Sequence, residues 1–361
     1  MDILAINQPY LAQAGFKEVF AAAGHRCLSV GWHREGCDLI CDRGLLTLTE
    51  LYSLLPPDFV PERIIYFDRS EPIRVLGLED SQIPTIGHFV DVHIHKPWHP
   101  IWAGVFDHSL VAMKGYMSLF EPGLYTPPTE WFPLWAFKVG PSADSIRDVP
   151  TSFRGTFAGT HPKRQDFFNQ VKSRTLIDFG SGPFFDLYAR SKIILNDCIS
   201  DDLNWRVFEA LASGAMLLTP RVSPETLELF PEGEALVTYE AHNVEDAVSK
   251  IDYYLNHDSE RLRIARNGYE RVCRHHTAQS RAQQLLNVVE RVERRTRPRK
   301  LFSAALSYLR TASILSDFYR NEFLEAARST IVQLSQDTSL SSHEHSEHQR
   351  VLERFMSNFR V

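Results

Sequence analysis

The chain has 361 residues, of which 43% are hydrophobic and 23% charged, and its formal net charge is −6. That length exceeds the roughly 250–300 residues at which a single core stops growing, so two domains are expected. The acidic balance argues against nonspecific nucleic-acid binding, and the lack of an apolar run of about 18 residues or of a basic-then-apolar leader implies neither a membrane span nor secretion.

Cys27, Cys37, Cys41, Cys198 and Cys273 are odd in number, scattered and without a CxxC pair, so no disulfide framework is expected and a reduced, cytoplasmic protein is the reading. His33, Cys37 and Cys41 lack a fourth ligand at zinc-site spacing, and no metal is assigned to them.

The apolar run "MDILAIN" reads as a strand. Phe16, Val19, Phe20 and Ala23 recur on one helical face, Gly24 sits where a C-terminal cap belongs, and "RCLSVGW" follows as a second strand. Strand, helix, glycine and strand in this order make a βαβ unit with parallel pairing. "ERIIYF", "PTIGHFVD" and "DHSLVAM" extend the series. From Glu121 to Ser152 the chain turns rich in Pro and Gly and clusters Trp131, Phe132, Trp135 and Phe137, which suits a connector packed at a domain junction.

A second alternating series begins at "GTFAGT", a strand ending in a small-residue loop, followed by the helix "KRQDFFNQVKS". "TLIDF", a helix around "FFDLYARS", the strand "KIILND", a helix after Asn204, the strands "AMLLTP" and "EALVTY", and two helices after Val244 complete it. Two doubly wound Rossmann-like α/β domains are therefore expected, 1–150 and 151–295, facing a cleft, with a helical extension over 296–361. The extension is expected to be a packed helical appendage, with a partner-binding or membrane-surface helix as the alternative, and the polar "SQDTSLSSHEHSEHQR" suits a loose end.

Common catalytic motifs are missing: there is no GxxxxGK[ST], HExxH or GxSxG, and Gly180-Ser181-Gly182 lacks the third glycine of a dinucleotide loop. "DDLNWRVFEALASGAMLLTP", from Asp201 to Pro220, is more informative. Glu209 lies in a short helix among Val207, Phe208, Leu211 and Ala212. By itself it is either the solvated side of that helix or a ligand to something above it.

With "ETLELFPEGEALVTY" and "IDYYLNHDSERLRIARNGYERVCRHHTAQSR" after it, this stretch resembles the glycosyltransferases of the two-domain GT-B fold, in the family 4-like group that includes the spore-maturation-type glycosyltransferases. The resemblance covers about residues 153–290, and the first domain is similar only in general pattern. It implies transfer of a sugar from a nucleotide-sugar donor to the hydroxyl of a glycan, lipid or protein acceptor, with retention at the anomeric carbon and without a bound metal. Glu209 matches the second of the family's paired acids and would accept hydrogen bonds from the donor ribose. The first acid falls on Asp201, one methylene shorter than the usual glutamate, with Asn204 and Arg206 resembling the spore-maturation variant. Gly159 and Thr160, then Lys163 and Arg164, resemble the loop and basic ligands of the donor diphosphate. For the acceptor side, Asp91 and His93 in "HFVDVHIHKPWH" are chosen as the pair that strand alternation places on one face. A catalytically degenerate GT-B binding module and a nucleotide-sugar epimerase remain as alternatives.

Overall fold

The structure is a computed structural model, and it describes residues 1–7, 15–32, 36–68, 70–121, 125–157, 162–198, 202–315 and 319–359. It divides into two compact units, Met1–Phe132 with Ala282–Val361, and Pro133–Arg281.

The first unit opens with β1 (Asp2–Ile6), α1 (Phe16–Ala22), β2 (Arg26–Gly31), β3 (Leu39–Ile40), β4 (Leu46–Thr47), α2 (Leu48–Ser53) and β5 (Pro61–Asp68). β6 (Val75–Leu76), β7 (Thr85–Phe89), α3 (His99–Ala103), β8 (His108–Val111) and β9 (Thr129–Trp131) follow. β4 and β6 pair with each other, while the remaining strands form one seven-stranded sheet in the order β3-β2-β1-β5-β7-β8-β9. Its pairs are parallel throughout. Ile3 to Ile6 and Ile64 to Phe67 are buried along their whole length, as expected of strands covered on both faces. β9 corrects the reading of Glu121–Ser152 as connector alone: Trp131 belongs to the sheet, with its Nε1 donating to the Ala112 carbonyl at 3.1 Å.

The second unit carries β10 (Val149–Arg154), α4 (Pro162–Lys172), β11 (Asp178–Gly180), α5 (Phe185–Arg190), β12 (Ser191–Leu195), α6 (Trp205–Ala212), β13 (Met216–Pro220), α7 (Pro224–Leu229), β14 (Val237–Tyr239), α8 (Val244–Asn256) and α9 (Asp258–His275). Its five parallel strands run β11-β10-β12-β13-β14. The chain moves outward from β10 in one direction to β11 and in the other to β12, so the topological switch point lies between the ends of β10 and β12. The core packs Phe153, Phe168, Ile193, Leu195, Met216 and Leu218 of sheet and α4 against Ile251 and Ile264 of α8 and α9. The expected strand at "GTFAGT" lies earlier, at Val149–Arg154, across the expected boundary at residue 150. Arg147 binds this region together: Nη1 donates to the carbonyls of Tyr188, Ala189 and Ser191, and Nη2 to those of Ser142 and Ser213.

The chain returns to the first unit within α10 (Ala278–Arg291) and ends with α11 (Arg297–Ile314), α12 (Arg320–Ser335) and α13 (Ser342–Phe359). The helical region after Thr296 is present as expected, and it packs within the first unit. Lys300 Nζ reaches Asp107 Oδ2 at 3.2 Å with both side chains buried. Tyr308 Oη donates to Glu79 Oε2 at 2.6 Å and accepts from the Gly77 amide at 2.9 Å. The polar end read as loose forms α13, which starts where Ser341 accepts from the Glu344 amide at 3.2 Å. No helix among the described residues is long and apolar enough to cross a membrane.

Candidate functional site

α6 follows from its sequence. Val207, Phe208, Ala210, Leu211 and Ala212 are buried, Trp205 packs on Phe137 at 4.4 Å between ring centroids, and Gly214 stops the helix. Gly214 has φ 77, and a Cβ there would meet the Pro141 carbonyl at 2.6 Å, so both conformation and space call for glycine. The helix thus starts beyond the carboxyl end of β12, beside the switch point, and projects Arg206 and Glu209 from one side, three residues apart.

Arg206 is fastened across the ends of the two central strands. Its Nε donates to the Arg154 carbonyl at 2.9 Å, and its Nη1 to Asn196 Oδ1 at 2.8 Å. The guanidinium lies 4.3 Å from the Phe153 ring centroid. Its Nη2 is turned to Gly155, where an added Cβ would come within 2.6 Å of it. Asn196 is fixed in turn, donating to Thr219 Oγ1 at 2.9 Å, while its carbonyl accepts from Tyr239 Oη at 2.7 Å.

The Glu209 carboxyl makes no hydrogen bond or ion pair among the described residues, although the residue is half-buried. Burial pushes its carboxyl up to about 7, opposed by the charge of Arg206. Asn204 is the N-cap residue of α6, yet its side chain does not cap: Nδ2 donates to Cys198 Sγ at 3.3 Å, and the buried Oδ1 has no hydrogen-bond partner. The first turn of α6 therefore keeps amide groups without a side-chain cap, a setting suited to an anion.

Lys163 and Arg164 begin α4 but differ in environment. Lys163 is exposed. Arg164 is buried, with Nε donating to Asp197 Oδ2 at 2.8 Å, Nη2 to the Asp197 carbonyl at 2.6 Å and Nη1 to the Thr156 carbonyl at 3.3 Å. All three guanidinium nitrogens of Arg164 thus already have acceptors. Gly159, Thr160 and Asp201 lie outside the described residues.

In the first unit, β7 ends at Phe89 and residues 92–94 form a turn, which corrects the placing of Asp91 and His93 on one strand face. Asp91 Oδ2 accepts from Ser70 Oγ at 2.5 Å. His93 instead places Nδ1 3.2 Å from Met113 Sδ, and burial holds it below the usual histidine range. The sequence reading missed the group beneath. Asp68, at the end of β5, accepts from the Ser70 amide at 2.9 Å and lies 2.5 Å from Nε2 of the buried His99. It also missed Asn196 and Asp197. The signal for all three was the same, a polar residue directly after an apolar strand, where α/β sheets gather their ligands.

Residues 146–287 match the family model described as Glycosyl transferase-like. No curated protein matches the chain. Among solved structures, sucrose-phosphate synthase from Thermosynechococcus elongatus aligns with a TM-score of 0.57 at 12% identity, covering 80% of this chain and 98% of that one. HepE from Anabaena, solved in complex with UDP, aligns at 0.55 and 10% identity over 80% of this chain and 100% of its own. A glycosyltransferase from Rickettsia africae ESF-5 gives 0.54 and 11%, covering 82% and 99%. At such identities the likeness is one of fold. The chain has the two-unit α/β fold found in GT-B glycosyltransferases, and residues 146–287 carry its glycosyl transferase-like domain.

Proposed function

We propose that the protein is a glycosyltransferase that binds a nucleoside-diphosphate sugar on its second unit and transfers the sugar to an acceptor hydroxyl. The reading rests above all on Glu209, a half-buried carboxyl with no internal partner, beside the fastened Arg206. An ionised carboxylate accepts two hydroxyl donors at once, as the cis-diol of a ribose provides. The uncapped first turn of α6 and the exposed Lys163 then face the diphosphate, whose charge grows as the sugar leaves. Arg164 acts one step removed, by holding Asp197 at the end of β12. The UDP bound by HepE of like fold supports a nucleotide donor.

The finer features follow the family resemblance: a family 4-like, spore-maturation-type enzyme, retaining, and working without a bound metal. On the first unit, Asp91 is our acceptor-side residue, since Ser70 fixes its carboxylate, whereas His93 is turned to Met113. Thermal melting in EDTA with UDP, GDP, ADP, CMP and their sugar conjugates tests the reading. A ligand that binds the folded state raises its melting temperature by mass action. One nucleotide should stabilise the wild type and not Glu209→Ala. No response to any of them from well-folded protein would favour a non-catalytic binding module.

A further inference from the structure

The first unit contains a cavity of about 870 Å³ that the glycosyl-transfer reading does not use. It opens at the amino ends of β5 and β7, beside Val60, Pro61 and Ile83, and so lies at the opposite edge of the sheet from Asp68 and Asp91. Its volume falls in the range of about 300–1,000 Å³ typical of small-molecule sites. The two walls differ in kind. One is apolar and aromatic, with Tyr52, Leu55 and Phe59. The other is acidic, with Glu79 and Asp80 from the turn after β6 and Glu322 and Glu325 from α12. Among the described residues, no lysine, arginine or histidine lines it.

The acids are not equivalent. Glu79 is engaged at the back, accepting from Tyr308 Oη at 2.6 Å. Glu322 is not: its Oε2 is buried and has no hydrogen-bond partner. A buried carboxylate oxygen without a donor is costly to maintain, and a ligand that brings a donor and a positive charge removes that cost. A neutral polyol would supply donors but leave the negative charge of the wall uncompensated, and an anion would be repelled. The aromatic wall requires that the cation also carry an apolar body.

We propose that this cavity is a second ligand site, taking an organic ammonium compound whose charged end meets Glu322 and Glu325 and whose apolar body lies along Tyr52, Leu55 and Phe59. Nothing in it depends on the donor site of the second unit.

Dansylcadaverine, an aromatic body with a terminal ammonium, is a direct probe, and N-pentyl dansylamide is its neutral counterpart. Fluorescence titration of the full chain should show saturable binding of the first and at least about tenfold weaker binding of the second, as expected when a charge-assisted hydrogen bond is lost. Glu322→Gln should weaken the cation to a similar extent and leave the neutral probe unchanged. Ala326→Trp, which fills the cavity, should abolish binding of both probes in protein whose melting temperature is retained. Equal affinity for the two probes, no saturable binding, or full affinity in folded Ala326→Trp would overturn the proposal.

Discussion

Arg206 Nη1 donates to Oδ1 of Asn196 at 2.8 Å, tying the first turn of α6 to the end of β12. With the bond from Nε to the Arg154 carbonyl, the side chain spans the switch point. The helix that presents Glu209 is thereby held in register with both central strands.

Gly155 provides the room for this arrangement, so Gly155→Ala should displace the Arg206 guanidinium, the flexible partner in the contact. The expected outcome is a loss of nucleotide affinity of about tenfold together with a loss of stability of about 1–3 kcal/mol, because the Cβ would also come within 2.6 Å of the buried Phe153 ring. Comparing nucleotide affinity with the unfolding midpoint separates the two effects. Equal affinity in the variant would show that Arg206 does not support the donor site.

Glu209 makes the unliganded protein less stable than it would otherwise be. Its carboxyl titrates at about 7 in the folded state, above the ordinary value of 4.5. The folded state therefore favours the proton, and stability falls as pH rises from 4.5 to 7, with the full penalty above 7. That penalty is at most about 3 kcal/mol. Glu209→Gln should therefore melt a few degrees higher than wild type at pH 8 and at nearly the same temperature at pH 4.5. An unchanged difference across this range would contradict the assigned environment.

Arg164 and Asp197 form a buried pair, and removing one partner leaves the other charge uncompensated. Arg164→Met should cost about 3–5 kcal/mol in denaturant unfolding. A cost under about 1 kcal/mol would be that of an exposed pair and would reopen a direct role for Arg164 at the phosphates.

Tyr308→Phe tests the integration of the C-terminal helices. It removes the donor to Glu79 and the acceptor for the Gly77 amide together. A loss of about 1–3 kcal/mol is expected from buried groups left unpaired. A neutral effect would mean that the Tyr308 hydroxyl adds nothing to the hold of α11 on the first unit, leaving that to the Lys300–Asp107 pair and to apolar contacts.

Legibility in the sequence followed the strength of local signals. The β1-α1-β2 unit and the alternation from α4 to α9 were readable because long apolar runs and helical spacing survive without tertiary context. β9 was not, since three residues set between Pro127, Pro128 and Pro133 carry no period. α13 was hidden in a polar run because, among its described side chains, the buried ones are just His348 and Leu352. Asn204, Arg206 and Glu209 were legible through the motif that contains them. Asn196, Asp197 and Asp68 were not, because a polar residue after a strand resembles the start of any loop until the switch point is known. Strand alternation misplaced Asp91 and His93 for a related reason: β7 ends before either residue.

The most direct test is calorimetric titration of the wild type and Glu209→Gln with the nucleotide that best stabilises the protein, in EDTA and at pH 8, where Glu209 is ionised. The account predicts saturable one-site binding to the wild type and a loss of about tenfold or more in Glu209→Gln, which retains the size of the side chain but accepts from hydroxyls less strongly. Equal binding by the two proteins would contradict the assignment of Glu209 to the donor.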